Sequence, residues 1–585
     1  MALFQNKKKF TLQEHVENFT NSSQFSQEDL KPLIQSPPVF QQLLTTSSFP
    51  TSHIVSELDV FRDNIYNELC NCTTSIGKSY FNLLLNNPCG NLSILQKRQK
   101  LLQFFCQNYK KQFREQLQNI NTQLEDSFWF YKENNEHSDY IYNMIFYNSD
   151  YLKFVNKIEP FLTLSNAYKI IISPIFSVCS PLLYIIVPFV ILRIMRIPLP
   201  FKFFFKMMWQ QSSMISMPFV KNKFMATIIK WFSKFLSIFL YCQNVYNSYT
   251  TSRTTVQIVN LFQNKLESIK QLLGFSTRLQ ENFSNQIAKN PKCFTRIENG
   301  EIYSGTTSIF SNKGRILTDF YMFTENKKQF LQVINNIGFI DCYLSLAEKI
   351  EQKSYFCIPK LLEQSTPQIV IRDLWHPAVA KDKIVRNDIV FHKKKRNYIL
   401  TGPNAAGKST FIKSVFLNLY LGQTIGICNS RRAEITPFSY LLTGIRNQDS
   451  QGSESLFEAE VHKIRDYLDT VRKQKGFTFS VLDEVFTSTN YQEGFAASYG
   501  LCRTIGEMKH CLHIVATHYT KLYKVVKEKE LGFRNIRFAV IMDEKGIQFP
   551  YKLEKGYSKQ FIALRLMKQK HLDNKFLDYS LKMLK

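Results

Sequence analysis

The residues most capable of chemistry lie in one glycine-rich segment, GPNAAGKST. Its spacing fits G-x-x-x-x-G-K-[ST], the pattern of a loop whose backbone N–H groups surround phosphates. The preceding NYILT predicts a strand and the following FIKSVFLNLYLG predicts a helix, which is the context such a loop needs. We expect Lys408 to reach the β- and γ-phosphates and Ser409 to hold Mg²⁺ through its hydroxyl. The predicted nucleotide-binding residues of this loop are Gly402, Pro403, Asn404, Ala405, Ala406, Gly407, Lys408, Ser409 and Thr410.

A pair of adjacent acids follows a second apolar run, FSVLDE, which predicts a buried strand. Alone, such a pair is more typical of a solvated strand end. Downstream of a phosphate loop, at the distance of a later strand of the same sheet, it favours catalysis. Asp483 can then assist in coordinating Mg²⁺, and Glu484 can polarise the attacking water.

A histidine ends a third strand-like segment, VATHYTKL. A lone histidine is usually structural, but His518 would lie at the carboxyl edge of the sheet, where open α/β folds bind their ligands. We therefore interpret His518 as a sensor of the γ-phosphate or of the attacking water. Together the three segments predict an ATPase that uses ATP and Mg²⁺.

The pattern of apolar residues around these segments changes from helical to strand-like along the chain. Helical spacing of apolar residues dominates residues 56–160, is clearest in residues 93–120, and returns in residues 254–289 and 318–352. From about residue 367, short β-branched runs alternate with helical segments, which predicts a mostly parallel sheet covered by helices. The fold class predicted is a multidomain α+β chain.

The motifs together resemble the MutS family of DNA mismatch-repair and recombination ATPases, within the wider ABC-type ATPases. GPNAAGKST is similar to the family's GPNMGGKST loop, VLDEVFTSTNYQEG to its Walker B segment, and VATHYTKL to its ATH-[FY]-x-x-L switch. RDLWHPAVA resembles the family's RHP segment, which implies that His376 lies near the adenine site. Thr489, Gly494 and a PND-like Asn387 are in register with the family.

A further segment, SESLFEAEV, resembles the family's STF-x-x-E signature. By that match Ser455, Phe457 and Glu460 are the signature residues. In this family the signature serine contacts the γ-phosphate held by the partner subunit. The resemblance therefore implies that Ser455 binds nucleotide across a dimer, either a homodimer or a heterodimer with another MutS-like subunit.

The resemblance extends upstream to the start of the MutS core domain, in TTSIGKSYFNLLLNNPCGNLSILQKRQ. The matching positions are Gly77, Lys78, Pro88, Ile94 and Arg98. IDCYLSLA, from Ile340, is similar to the end of the same domain. The implied fold is an all-α core and lever domain followed by an α/β phosphate-loop domain of the ABC type.

Several positions depart from the family pattern. Ala405-Ala406 stands where the family has Met-Gly, and Phe486-Thr487-Ser488 replaces Gly-Arg-Gly. Leu456 and Ser453 replace Thr and Gly around the signature. These changes bear on turnover and dimer geometry more than on nucleotide binding. We also expect no mismatch-reading domain before the core and no nuclease domain after the ATPase domain.

Charge adds a prediction about partners. The 585 residues carry a formal net charge of +27, so the surface favours a polyanion, either nucleic acid or an anionic membrane. A generally basic proteome is the alternative explanation. The N-terminus has no apolar segment typical of a signal peptide, and the twelve cysteines form no metal-type pair. The prediction is an intracellular protein of the nucleus or cytoplasm that binds DNA.

One region does not fit a conventional DNA-binding arm. Residues 170–192 are 23 uncharged, mostly apolar residues. As a helix they would extend roughly 34 Å, against a hydrocarbon core of about 30 Å. Residues 224–246 are the only candidate return. Two alternatives stay open: a monotopic or hairpin membrane attachment, or an insert buried against the lever helices or self-associating at its tip.

The predicted function is that of a dimeric ATPase of the MutS type in DNA mismatch repair or recombination. The alternative is a membrane-tethered MutS-like ATPase with a role unrelated to mismatches. The predicted domains are an N-terminal cap (1–55), the first half of the helical core (56–167), the apolar and basic insert (168–247), the lever and second half of the core (248–360), and the ATPase domain (361–585).

Overall fold

The computed structural model describes most of the chain between Thr51 and Met583. The predicted N-terminal cap therefore lies almost entirely outside the described residues. Described residues are 14, 51–109, 111–131, 136–211, 223–283, 286–287, 289–299, 313–351, 355–403, 406–444, 455–474, 476–543, 546–558, 567 and 573–583.

Helices occupy most of the chain up to residue 351, and the strands follow. The α-helices are α1 (Thr51–Glu57), α2 (Asp63–Leu69), α3 (Ser75–Leu85), α4 (Leu92–Gln107), α5 (Lys111–Phe128), α6 (Glu136–Ile145), α7 (Glu159–Ala167), α8 (Ser173–Ile194), α9 (Phe201–Gln211), α10 (Lys223–Phe283), α11 (Thr295–Glu298), α12 (Lys313–Glu351), α13 (Lys408–Thr424), α14 (Leu456–Lys473), α15 (Tyr491–Glu507) and α16 (Asn574–Met583).

The strands all follow α12. They are β1 (Lys360–Leu361), β2 (Ile369–Leu374), β3 (Asn387–Phe391), β4 (Asn397–Thr401), β5 (Arg432–Ile435), β6 (Tyr440–Gly444), β7 (Thr478–Asp483), β8 (Cys511–Thr517), β9 (Phe533–Phe538), β10 (Ile541–Asp543), β11 (Gly546–Gln548) and β12 (Leu553–Lys555). The predicted mixed α+β class is confirmed.

The described residues form two compact units. The first is built from residues 120–334, and the second from residues 51–119 together with residues 335–583. The predicted phosphate loop and acid pair fall in the second unit, and the apolar insert falls in the first.

The main sheet of the second unit has the strand order β12-β9-β4-β8-β7-β6. Strands β9, β4, β8, β7 and β6 are parallel, and only β12 runs antiparallel to its neighbour. Every residue of β4 and β8 is buried, as expected of parallel strands that are covered on both faces. Thr401 pairs with Thr517, and Asp483 pairs with Ala516. The carboxyl ends of β4, β8 and β7 therefore meet at one edge.

A smaller sheet, ordered β1-β5-β2-β3, lies in the same unit. Strand β2 ends at Leu374, so the next residues, Trp375 and His376, leave the sheet together. Strands β10 and β11 form a separate antiparallel pair.

The core-domain segments that resembled MutS are close together in the second unit. Asp341 of α12 accepts hydrogen bonds from the backbone N–H and hydroxyl of Thr74, and its other oxygen lies 3.0 Å from Nη1 of Arg114. A Cβ at Gly77 would collide with the Asp341 carboxylate, which explains the glycine.

A second buried arginine joins the helical segments to the phosphate-loop helix. Arg98 donates to the carbonyl oxygens of Gln423 and Thr424, at 3.1 and 2.8 Å, and to that of Asn87 at 3.1 Å. These carbonyls end α13, where a helix has acceptors without partners and a partial negative charge. Arg98 therefore caps the far end of the helix that begins with the phosphate loop.

The first unit has an aromatic core. The rings of Phe262 and Phe320 stack with centroids 3.6 Å apart, and Phe146 stacks on both. The buried Asp319 pairs with Arg296 at 2.8 Å.

The apolar insert consists of long helices in the first unit. A π-helical segment, Tyr168–Ile172, joins α7 to α8 without a break. Helix α10 has 61 residues and passes through the predicted boundary at residues 247 and 248. It runs antiparallel to α8, since Ser248 and Tyr241 of α10 contact Ser173 and Val178 in turn.

Two helices among the described residues are long and apolar enough to cross a membrane. In Lys313–Glu351, the most apolar window has a mean hydropathy of 1.2 and is 94% buried, which is typical of a core helix. In Glu159–Ile194, the mean hydropathy is 2.4 and only 6% of the window is buried.

Candidate functional site

The glycine-rich loop leaves the end of β4 and enters α13, as the sequence predicts. Gly407, at the N-cap of α13, has a φ of 93°, a left-handed conformation that a side chain would strain. The Lys408 ammonium donates to the Gly402 carbonyl oxygen at 2.8 Å. Asn404 and Ala405 lie outside the described residues.

The acid pair lies beside this loop. The hydroxyl of Ser409 donates to Oδ2 of Asp483 at 2.8 Å. Oδ1 of Asp483 is buried and has no hydrogen-bond partner among the described residues. Burial also raises the pKa of Asp483, which means that its charge lacks solvation. A hydroxyl and a buried carboxylate oxygen in need of a cation fit the oxygen ligands that Mg²⁺ prefers.

Glu484 follows β7 in a left-handed conformation, with a φ of 54°. Its N–H donates to Ala516 of the neighbouring β8 at 2.9 Å. Its Oε1 lies 2.6 Å from Nε2 of His518 and 3.7 Å from the ammonium of Lys408. The hydrogen bond with His518 holds the pKa of Glu484 below its ordinary value, so the carboxylate stays ionised. An ionised, oriented carboxylate at this edge can align a water molecule and accept its proton.

A cavity of about 540 Å³ opens over the loop, a volume in the range of small-molecule sites. Lys408, Ser409 and Glu484 share it with the predicted His376. Asp483 is not among its lining residues and reaches it only through Ser409. The cavity is lined by Leu374, Trp375, His376, Val379, Lys383, Ile384, Val385, Asn387, Pro403, Gly407, Lys408, Ser409, Thr410, Phe411, Ser414, Glu484, Phe538 and Tyr551.

His376 is 8% exposed, and its Nδ1 accepts from the Ala378 N–H at 3.2 Å. Burial lowers the pKa of His376 to about 4, so the ring is neutral at physiological pH. A neutral imidazole in a mainly apolar wall is suited to contact with a planar base.

Sequence reasoning missed the aromatic wall of this cavity, above all Tyr551. The Tyr551 ring lies next to Gly407, 3.1 Å from where a Cβ would be. Asn387 holds the Tyr551 segment by donating to the Tyr551 carbonyl at 3.0 Å and accepting from the Leu553 N–H at 2.9 Å. No local pattern marks Tyr551, because it lies in the connection between β11 and β12, far along the chain from the loop.

The signature residues lie elsewhere on the second unit. Ser455 is exposed at the N-cap of α14, where it forms a capping box with Glu458, and it is not among the residues that line the cavity. Leu456 and Phe457 beside it are exposed, at 54% and 37%. Glu460 accepts from Ser488 at 2.6 Å. Within one chain, the structure therefore does not bring Ser455 to the phosphate loop.

The segment after the acid pair is tightly packed. Thr489 donates to the Glu493 carboxylate at 3.3 Å. A Cβ at Gly494 would collide with the hydroxyl of Tyr519 and with the Phe486 carbonyl oxygen. The Tyr519 hydroxyl itself donates to that oxygen at 2.6 Å, which leaves room only for glycine.

A glycine loop between a buried parallel strand and a helix, with acids ending a nearby strand, defines a phosphate-loop nucleotide-binding fold. More particularly, residues 398–585 match the family model described as MutS domain V. This match confirms the resemblance to the MutS family that was drawn from the motifs.

Curated relatives agree with this match. The chain is 30% identical over 228 residues to the "DNA mismatch repair protein MutS" of Petrotoga mobilis. This alignment covers 38% of this chain and 27% of that protein. It is 28% identical over 289 residues to the protein of the same name from Fervidobacterium nodosum, covering 46% of this chain and 34% of that protein. It is 26% identical over 235 residues to the protein of the same name from Persephonella marina, covering 40% of this chain and 26% of that protein. The chain thus spans about a quarter to a third of the length of these relatives.

Proposed function

We propose that this chain is an ATPase of the MutS type, which binds ATP with Mg²⁺, hydrolyses it, and acts on DNA in mismatch repair or recombination. The observation that carries the proposal is the convergence of Lys408, Ser409, Asp483, Glu484 and His518 at one edge of a parallel sheet. They come from the loop after β4, the end of β7 and the end of β8, so their meeting is a property of the sheet topology.

Each residue has a role that follows from its position. Lys408 binds phosphate oxygens, and Ser409 with Asp483 holds Mg²⁺, which when bound supplies positive charge to the phosphates. Glu484 orients the attacking water, and His518 holds the Glu484 carboxylate in place. His376 and Tyr551 flank the nucleotide base, for which flat rings supply stacking surface.

Steady-state ATP turnover with and without duplex DNA tests this proposal. Glu484→Gln is expected to retain ATP binding and to lose turnover by about a hundredfold or more, since the amide cannot accept the proton. Lys408→Ala is expected to lose tight ATP binding. The exposed Glu507→Gln is the matched control and should behave as wild type. Wild-type turnover in Glu484→Gln would show that the catalytic assignment is wrong.

The dimer follows from Ser455. Because Ser455 lies outside the cavity of its own chain and beside exposed Leu456 and Phe457, we propose that it completes the site of a partner subunit. Ser455→Arg and Lys408→Ala chains should each be inactive alone. When mixed, they should recover about one working composite site per mixed dimer, measured as turnover against mixing ratio. Full turnover by a strict monomer would contradict this arrangement.

The DNA partner rests on charge. Residues 160–266 contain eleven basic residues and no acidic one, which leaves +16 of the net +27 for the rest of the chain. In the second unit, a cavity of about 720 Å³ is lined by several exposed cations. We expect log K for duplex DNA to fall linearly with log[salt] as phosphate contacts release counterions. Binding that is insensitive to salt would count against DNA as the polyanion. The basic residues of this cavity are Lys393, Lys394, Arg396, Lys509, Lys527, Lys529 and Arg534.

A second candidate function is a membrane-tethered MutS-like ATPase with a role unrelated to mismatches. The observation that favours it is the exposed apolar surface of α8 and the first half of α10. The two candidates share the same ATPase chemistry and differ in where that chemistry takes place.

A further inference from the structure

Residues 160–266, which include the whole apolar insert, have an extreme charge composition. Between Glu159 and Glu267 the sequence has no acidic residue. Ordinary exposed helices mix both signs of charge on their solvent face. A long segment that is apolar and exclusively basic matches the hydrocarbon and the anionic headgroups of a membrane. The basic residues are Lys169, Arg193, Arg196, Lys202, Lys206, Lys221, Lys223, Lys230, Lys234, Arg253 and Lys265.

The apolar side chains of α8 point outward. Exposed residues fall at closely spaced positions, as in the pairs Ile186-Val187 and Val190-Ile191, so the apolar surface is not a single stripe. In a water-soluble helix pair, apolar residues like these would be buried in the interface between the two helices. The exposed large apolar residues of α8 are Ile175, Phe176, Val178, Leu182, Tyr184, Ile186, Val187, Val190, Ile191 and Ile194.

The same pattern continues on the first half of α10. The exposed fractions of Phe224, Trp231 and Phe235 are 73%, 70% and 68%. An exposed apolar surface of this extent is far more than isolated surface residues and marks an interaction site. The exposed large apolar residues are Phe224, Met225, Ile228, Trp231, Phe232, Phe235, Leu236, Ile238, Phe239, Leu240, Tyr246 and Tyr249.

Several hydroxyl groups, in contrast, lie between the two helices, while Ser237, Gln243, Asn244 and Asn247 of α10 are exposed. The hydroxyls of Ser173 and Ser248 are 3.0 Å apart, and that of Tyr241 donates to the Val178 carbonyl oxygen at 2.8 Å. Ser177 is the buried residue of α8. Hydroxyls that face the partner helix, beside large apolar side chains that face outward, are the reverse of the pattern in a soluble helix pair. This arrangement is the expected solution where the surroundings cannot accept hydrogen bonds.

Two of the three prolines of α8, Pro174 and Pro181, point to the same surroundings. Each proline lacks an N–H and frees the carbonyl oxygen four residues before it. For Pro174 that carbonyl is Ile170, which accepts from the Ser252 hydroxyl at 2.7 Å. For Pro181 it is Ser177, which accepts from the Ser180 hydroxyl at 2.9 Å. Side-chain hydroxyls that satisfy these carbonyls would be unnecessary in water, which supplies donors itself, but are required in hydrocarbon.

The dimensions and the ends of the hairpin fit a bilayer. From Trp231 to Tyr249 the helix rises about 27 Å, close to the hydrocarbon thickness of about 30 Å. Both rings are exposed, and Trp and Tyr are the residues enriched at the two interfaces of a membrane. Arg193 in the last turn of α8 and Arg196 just after it lie at the same end of the hairpin as Trp231, where lipid phosphates would pair with them.

We propose that α8 and residues 223–251 of α10 form an antiparallel hairpin that crosses the hydrocarbon of an anionic bilayer, tip first, with the basic residues around α9 among the lipid phosphates. Both ends of the hairpin then stay on one side of the membrane, so the rest of the first unit remains in a single compartment. A protein partner would cover a single stripe of apolar residues, whereas the exposed apolar residues of α8 include adjacent pairs that point in different directions.

Co-flotation of the full chain with vesicles tests the proposal. The protein should float with vesicles of phosphatidylcholine and phosphatidylserine, and stay bound after a wash in high salt, because apolar insertion is not screened. Phosphatidylcholine vesicles alone should bind less. Val187→Asp with Ile191→Asp should lower the bound fraction by more than about tenfold, since a carboxylate in hydrocarbon is costly. Ile541→Asp is the matched control, because Ile541 and Ile191 are both 50% exposed.

A second measurement does not depend on these variants. Lipids brominated along the acyl chain should quench tryptophan fluorescence in the wild-type chain, and Trp231→Phe should remove most of that quenching. Three results would each overturn the proposal. In the first, the full chain stays monodisperse without detergent and binds neither vesicle type. In the second, high salt reverses vesicle binding completely. In the third, the chain forms an oligomer without lipid, and Ile191→Asp dissociates that oligomer. The last would assign the surface to a second copy of the chain.

Discussion

The edge of the main sheet and the hairpin of α8 and α10 arrange the same kinds of side chains in opposite ways. In the sheet, apolar residues of β4, β7 and β8 are buried, and charged groups such as Lys408 and Glu484 gather where the strands end. In the hairpin, hydroxyls lie between the helices and apolar residues face outward. This difference is the one expected if the sheet edge faces water and the hairpin lies in hydrocarbon, as we propose.

Matched truncations in the two regions should give the largest contrast. Phe479 of β7 is fully buried against Phe391 and Phe438, so Phe479→Ala should lower the free energy of unfolding by about 3–5 kcal/mol. Phe235 is 68% exposed, so Phe235→Ala should change it by no more than about 0.5 kcal/mol. Chemical denaturation followed by circular dichroism, with both variants in the same detergent, measures the two values. An equal cost at Phe235 would mean that protein covers that face.

A smaller effect is expected where the helical segments cap the phosphate-loop helix. Arg98→Met removes the Arg98 donor from the carbonyls of Gln423, which keeps the Cys89 N–H, and Thr424, and should cost about 1–3 kcal/mol of unfolding free energy. Lys97→Met, one position away and exposed, is the control and should cost little. If both variants unfold alike, the Arg98 hydrogen bonds do not stabilise this end of the helix.

The smallest effect concerns pH and belongs to the sheet region alone. Burial lowers the pKa of His376 to about 4 and that of His513 to about 3, from an ordinary 6.5. Below pH 6.5 the unfolded chain binds protons that these folded histidines do not, so stability is complete above 6.5 and declines as the pH falls. Each histidine should cost about 1 kcal/mol at pH 5.5.

The variant His513→Gln isolates this contribution from that of the carboxylates. Its loss of unfolding free energy between pH 7.5 and 5.5 should be smaller than that of the wild type by about 1 kcal/mol. An identical loss in the two proteins would show that His513 does not resist protonation in the fold.

Much of the site could be predicted because its chemistry follows strand ends. Lys408 and Ser409 end the loop that follows one predicted strand, and Asp483 with Glu484 stand at the end of another. Parallel strands in one sheet end at one edge, so short segments were enough to bring these residues together. The core-domain match likewise marked Gly77 and Arg98 without their contacts.

The sequence by itself determined the phosphate loop, the acid pair, the mixed fold class and the unusual charge of residues 160–266, because each depends on residues that are close together in the chain. Only the tertiary structure decided that Tyr551 lies against Gly407, that Asp341 needs the space at Gly77, and that the hydroxyls of the insert face inward. These contacts join residues far apart in the chain. They depend on how whole elements pack, which local spacing and periodicity do not encode.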